Sequence, residues 1–193
     1  MRRGRVEFAL VRHGESEGNL GGRVLGGQLG PELTARGRTQ ARAAARELAD
    51  WGADALWSSD MVRARRTAEQ IALRTGLPVR TTGLLREQNH GRFDGADPGT
   101  LVAEETPPGL DVTEVRWGGG ESVVDVYARL RVFCEQIAAG AAERVIVVGH
   151  SDMGCCFTSM LAGLDHRRVR WDRLRHGQVA YLSWMPGQQA LPV

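Results

Sequence analysis

Arg144–Gly154 reads RVIVVGHSDMG, an apolar run of β type that breaks at Gly149-His150-Ser151 before an amphipathic segment begins. This is the pattern of a strand, a tight turn and a helix, and it offers two rival functional residues, His150 and Ser151. The same alternation recurs along the chain. VEFALV (Val6–Val11), ADALWSS (Ala53–Ser59), LPVRTT (Leu77–Thr82) and QVAYLSW (Gln178–Trp184) have strand character. Between them lie helical patterns. ARGRTQARAAARELADW follows Thr34 as N-cap, with Ala41, Ala44, Ala45 and Leu48 as its apolar stripe. MVRARRTAEQIALRTG ends at Gly76, and ESVVDVYARLRVFCEQIAAG places Val123, Val126, Leu130, Phe133 and Ile137 at helical spacing, with Glu121 and Ser122 as capping residues. A further helix runs through CCFTSMLAG (Cys155–Gly163). Gly21–Pro31 is a glycine-rich irregular loop, and Gly91–Gly120 predicts a long loop with at most one short helix.

Strands alternating with helices predict an α/β fold, a three-layer αβα sandwich with a largely parallel central sheet, as a single domain over residues 1–193. Ligands of such sheets bind at the carboxyl ends of the strands. RHGES, SSD and GHSDM all fall at such ends and are expected to share one site.

Composition narrows the function classes. The chain is 42% hydrophobic with a net charge of +2, enough for a core and too balanced for a polyanion-binding surface. All 25 basic residues are arginine and are interspersed with acids, so no nucleic-acid partner is expected, while several can still gather around a small anion. Cys134, Cys155 and Cys156 make an odd set without a disulfide framework and read as buried thiols in a reducing compartment. No run has signal-peptide or membrane-spanning length, so a cytoplasmic protein without a membrane partner is expected.

The serine elbow fails on spacing. A nucleophile elbow needs Gly-x-Ser-x-Gly, because small residues on both sides permit the strained turn. Here Met153 stands where the second Gly belongs, and only a short Arg-rich tail follows to supply an acid and a His. No phosphate loop of the Lys-containing type is possible, and the five histidines are too dispersed for zinc. A different set works better. Arg12-His13-Gly14 closes the first strand, His150 closes another, and Arg63 opens the helix after SSD. Imidazole attacks phosphorus, and guanidinium forks match phosphate oxygens, so two His and two Arg at neighbouring strand ends suit phosphoryl transfer.

With these residues in view, the chain resembles the histidine phosphatase superfamily, the phosphoglycerate-mutase-like fold with the Arg-His-Gly signature. The pieces are LVRHGESEGN, LTARGRTQA, SSDMVRARRTAE, LREQNHGRFDG, GGGESVVDVYARL and VIVVGH, in the family's order from residue 6 to residue 150. The resemblance implies a phosphomonoesterase of a small phosphorylated metabolite, working without cofactor or metal. It implies His13 as the nucleophile that becomes phosphohistidine and Glu87 as proton donor to the leaving alcohol. Arg12, Arg63 and His150 would hold the phosphoryl oxygens, with Asn19 and the Ser151 amide as further donors. Ser16 and His90 are possible substrate-side contacts. Arg92, Phe93, Arg116 and Trp117 fall in the loop region that could cover substrate, and His166 and His176 read as solvated surface.

Two other outcomes are carried. A cofactor-dependent phosphoglycerate mutase would show Glu-Arg-x-Tyr-Gly and a nearby Lys to grip the substrate carboxylate. This chain has Glu87-Gln88-Asn89-His90-Gly91 and no Lys, which favours hydrolysis. A non-catalytic phosphate-binding member would have lost His13, Arg63, Glu87 or His150, and all are present. The loop LGGQLGPELT lacks the Asp-x-Pro-Leu-Thr form of many relatives, which affects only substrate-side contacts.

Overall fold

The computed structural model describes residues 4–100 and 105–186. Its strands are β1 (Val6–Arg12), β2 (Ala55–Ser59), β3 (Val79–Thr82), β4 (Arg144–Gly149) and β5 (Val179–Trp184). The α-helices are α1 (Ala35–Leu48), α2 (Val62–Thr75), α3 (Val123–Ala139) and α4 (Ser151–Leu161). One five-stranded sheet runs in the order β3-β2-β4-β1-β5. The first four strands are mutually parallel and β5 is antiparallel to β1.

Both faces of β1 and β4 are buried, which is why these strands read as continuous apolar runs rather than alternating ones. Phe8, Leu10, Val145 and Val147 pack under α3 and α4 with Phe133 and Phe157. Ala9, Val11, Ile146 and Val148 pack on the other face under the Ala-rich stripe of α1 and the Ala64–Ala68–Ile71 face of α2. The sheet is therefore the middle of three layers, as the sequence predicts. Cys134, Cys155 and Cys156 are buried free thiols, and burial pushes the Cys155 thiol up to about 11.

The helix signals hold at Thr34, whose hydroxyl accepts from the Gly37 N–H, at Gly76, which adopts the left-handed conformation, and at Ser122, which accepts from the Asp125 N–H. Three elements differ from the sequence expectation. Helix α4 begins at Ser151, four residues before Cys155, because its cap comes from a residue distant in sequence (below). Strand β3 starts at Val79, since Pro78 has no N–H to give the ladder. The 91–120 region contains only short 3-10 turns among its described residues, at Gly91–Phe93, Pro98–Thr100, Val112–Glu114 and Trp117–Gly119.

The Arg-His-Gly turn is seated by close backbone contact with α1. A Cβ on Gly14 would strike the Gly37 carbonyl, and a Cβ on Gly37 would strike the Glu15 carbonyl. The two motifs RHG and LTARG are thus two halves of one contact. Gly37→Ala is expected to destabilise the fold by about 1–3 kcal/mol through overpacking against a rigid backbone. Urea unfolding checks this, and an unchanged midpoint would remove the contact's significance.

Candidate active site

The in-register pairing of β1 with β4 sets Arg12 opposite Gly149, so the next residues of each strand, His13 and His150, emerge side by side. Their ring centroids are 5.1 Å apart, and the His13 N–H donates to the Gly149 carbonyl at 2.9 Å. Strand β2 ends at Ser59 and delivers Arg63 on the first turn of α2. Strand β3 ends at Thr82 and leads through a 3-10 turn at Gly83–Leu85 to Glu87. Four parallel strands thus send His13 with Arg12, His150, Arg63 and Glu87 to the same edge of the sheet.

His13 is 3% exposed, and its Nδ1 lies 2.7 Å from the Gly14 carbonyl oxygen. A carbonyl only accepts, so Nδ1 carries the proton and Nε2 carries the lone pair of the neutral ring. Burial, with the Arg63 charge next, holds the His13 imidazole well below its ordinary value, and this favours the neutral ring. His150 is held low for the same reasons.

Arg63 is 1% exposed, yet its guanidinium meets only neutral partners: the Gln28 carbonyl at 2.5 Å, the Gly26 carbonyl at 3.3 Å and the Met61 sulfur at 3.2 Å. Arg12 donates to the Leu174 carbonyl at 2.7 Å. Burial lowers both guanidinium groups, although they retain their charge. Arg12 Nε, Arg63 Nε, Ser151 Oγ and both ring nitrogens of His150 are buried without a hydrogen-bond partner. Such groups are costly unless an anion with several oxygens satisfies them.

Glu87 supplies the cap of α4. One of its oxygens accepts from the Ser151 N–H at 2.9 Å, the other from the Met153 N–H at 2.9 Å, and the Asp152 N–H lies 3.2 Å from both. The Ser151 amide, expected to face phosphate, is therefore occupied by Glu87 in this structure. Burial, and then the nearby Asp152 carboxylate, push the Glu87 carboxyl up, outweighing the amide donors. The Glu87 loop is braced from α3. Arg129 donates to the Leu84 carbonyl at 2.7 Å and to Glu121 at 2.9 Å, and Glu121 accepts from the Asn89 N–H at 3.0 Å. Glu121 is thus a brace for this loop, and Ser122 alone is the helix cap.

Asn19, His90 and Ser151 line the same cavity as Arg12, His13, Arg63 and Glu87. Asn19 Oδ1 accepts from Ser16 Oγ at 2.8 Å and from the Ser16 N–H at 2.9 Å, which leaves its NH2 as the donor end. Ser16 itself is fully buried and orients Asn19, and neither Ser16 nor His150 is among the residues that line the cavity. His176 is a correction to the sequence expectation. It is not solvated surface: its ring lies 5.2 Å from that of His13, and its Nδ1 is 3.1 Å from the His13 carbonyl. The antiparallel β5 returns beside β1, with Val179 opposite Val11, and this carries the preceding loop over the Arg-His-Gly turn. His166 is partly buried against Glu114, 3.2 Å away. Thr67 carries no signal in the sequence, yet its hydroxyl accepts from the Gly14 N–H at 3.0 Å and donates to the Arg63 carbonyl at 2.9 Å, tying the two motifs together. Among the described residues no group of three or more His, Cys, Asp or Glu could hold a metal ion, and no helix is long and apolar enough to cross a membrane.

The family model of the histidine phosphatase superfamily (branch 1) matches residues 8–192. The chain belongs to this superfamily. It is 36% identical to a glucosyl-3-phosphoglycerate phosphatase of Mycobacterium tuberculosis, over 92% of this chain and 82% of the relative. It is 34% identical to a phosphoserine phosphatase of Hydrogenobacter thermophilus, over 83% of this chain and 78% of that one. The solved structure of a mycobacterial glucosyl-3-phosphoglycerate phosphatase superposes with a TM-score of 0.79 at 30% identity, covering 93% of this chain and 91% of that one. Probable phosphoglycerate mutases also stand among the relatives. The histidine-phosphatase type of phosphomonoesterase expected from the sequence is the type of these named phosphatases, and the α/β fold is theirs.

Proposed function

We propose that the protein hydrolyses a small phosphate monoester in two steps through a phosphohistidine on His13. The observation that carries this reading is the convergence of Arg12, Arg63 and Glu87 on one cavity with His13, an imidazole whose Nδ1 is already committed and whose ring packs against His150. In the first step His13 Nε2 forms a bond to phosphorus while the ester P–O bond breaks, and Glu87 gives its proton to the departing alcohol oxygen. In the second, Glu87 takes a proton from water, whose oxygen attacks phosphorus and returns the electron pair to Nε2, releasing inorganic phosphate. Arg12, Arg63 and His150 hold the equatorial oxygens as charge shifts between attacking and leaving atoms. Asn19 adds its NH2 and His90 faces the alcohol side.

Glu87 and substrate compete for the N-terminus of α4. A phosphate oxygen that takes the Ser151 N–H removes a hydrogen bond that stabilises the carboxylate, and the phosphate's own charge opposes ionisation further. Substrate binding therefore favours the protonated Glu87 that the first step needs. Hydrolysis rather than mutase transfer fits Gln88, Asn89 and His90 after the acid, where a mutase places the grip for a substrate carboxylate. The chain acts as one domain in the cytoplasm on a diffusible metabolite, without metal.

Phosphate release from a panel of monoesters tests the reading, and activity is expected to be unchanged by EDTA. Loss of activity with chelator, restored by a divalent ion, would contradict the metal-free route. Release from no ester in the panel would contradict hydrolysis.

A further inference from the structure

Arg12, His13, Asn19, Arg63, Glu87 and Ser151 form part of the lining of a cavity of about 700 Å³. Its remaining wall is built mainly of hydrocarbon and aromatic surface. Leu25 comes from the glycine-rich loop, Phe93, Val112, Val115 and Trp117 from the 91–120 region, and Trp171 from the segment before β5. Two of these apolar groups remain in water at the rim, Val112 at 52% and Trp171 at 44% exposed. Apolar surface gathered at the mouth of a site marks a place for an apolar ligand.

The charges in this half point the same way. Arg173 is bound to Asp152 at 2.8 Å, so that pair adds no net charge to the lining. Arg92 lies over the Phe93 ring, 4.7 Å from its centroid. Arg23 is exposed. Among the lining residues described, the least exposed guanidinium groups are those of buried Arg63 and half-buried Arg12, already assigned to the phosphoryl oxygens. A second anionic group on the alcohol side of the ester would meet indole and aliphatic side chains interspersed with Gln88, His90 and Thr113, and would find Arg23 only at the exposed part of the lining, with no buried counter-charge.

We infer that the preferred substrates are phosphate monoesters of bulky, largely apolar alcohols, with the apolar group seated against Trp117, Trp171, Phe93 and Val112. The inference rests on the phosphomonoesterase reading and adds to it the chemical class of the leaving group. Apolar burial acts on binding of ground state and transition state alike, so its effect falls chiefly on KM.

The test compares three primary-alcohol esters of similar leaving-group reactivity: 3-phenylpropyl phosphate, n-propyl phosphate and 3-phosphoglycerate. The expected result is a kcat/KM for the phenylpropyl ester on the order of tenfold to a hundredfold above each of the other two, from burial of one ring. The ratio of phenylpropyl to propyl ester cancels losses of fold or chemistry. In Trp117→Ala, and separately in Val112→Asp on the exposed rim, that ratio is expected to fall to within about threefold of unity. Equal kcat/KM for all three esters, or a preference for 3-phosphoglycerate, with release still dependent on His13, would overturn the inference and leave the phosphomonoesterase reading standing. A wild-type ratio unchanged in both variants would likewise overturn it. No His13-dependent release from any of the three would overturn that reading, and the inference with it.

Discussion

His13→Ala is expected to lower kcat for monoester hydrolysis by at least ~10⁴-fold, whereas Ser151→Ala is expected to stay within about threefold of the parent. The contrast follows from what each side chain has around it. His13 Nδ1 is fixed on the Gly14 carbonyl, its Nε2 lone pair is free, and burial beside Arg63 keeps the ring neutral. Ser151 Oγ is buried without a partner, so no base is placed to take its proton. Its functional part is the amide, which an Ala retains. Steady-state rates of the two variants beside the parent decide the matter, with circular dichroism to confirm that each is folded. Loss of activity in Ser151→Ala with retention in His13→Ala would reinstate the serine as nucleophile.

Glu87→Gln is expected to lower kcat by about 10²–10⁴-fold for alkyl phosphates, the range for removal of a general acid. The loss should be smaller for p-nitrophenyl phosphate, whose leaving group needs no proton. The pH dependence has a definite sign. His13 must be neutral, and its value is held well below 6.5, so activity rises as pH passes upward through that depressed value. Glu87 must be protonated, and its value is raised above 4.5, so activity falls as pH passes upward through the raised value. The result is a bell displaced toward acid. Glu87→Gln should lose the alkaline limb beyond what substrate ionisation imposes, and keep the acid limb. An alkaline limb that survives unchanged in Glu87→Gln would assign it to another group.

Much of this site is legible in the sequence because its members sit next to strong strand signals. His13, His150 and Arg63 each follow an apolar run by a few residues, and a parallel sheet collects strand ends on one edge. What escapes is contributed across the fold. His176 reaches His13 only because β5 runs antiparallel beside β1, a pairing that its own residues do not announce. The start of α4 is displaced because its cap is Glu87, 64 residues away from Ser151, whereas cap signals are read within a few residues. Glu121 looks like a cap and acts as a brace, since its partners Arg129 and the Asn89 N–H come together only when α3 packs on the Glu87 loop. Ser16 follows the signature closely enough to suggest substrate contact, but its hydroxyl is spent on Asn19 behind the cavity wall. Residues 101–104 lie outside the described residues.

The most direct measurement is to quench the enzyme during turnover under alkaline conditions, which preserve a phosphorus–nitrogen bond, and to map the modified peptide by mass spectrometry. The account predicts a gain of one phosphoryl group on the peptide containing Arg12-His13-Gly14, localised to His13, lost on brief acid treatment and absent from His13→Ala. An acid-stable phosphoryl group on Ser151 would contradict it. So would rapid turnover in which no enzyme-bound phosphoryl group forms and water attacks the ester directly.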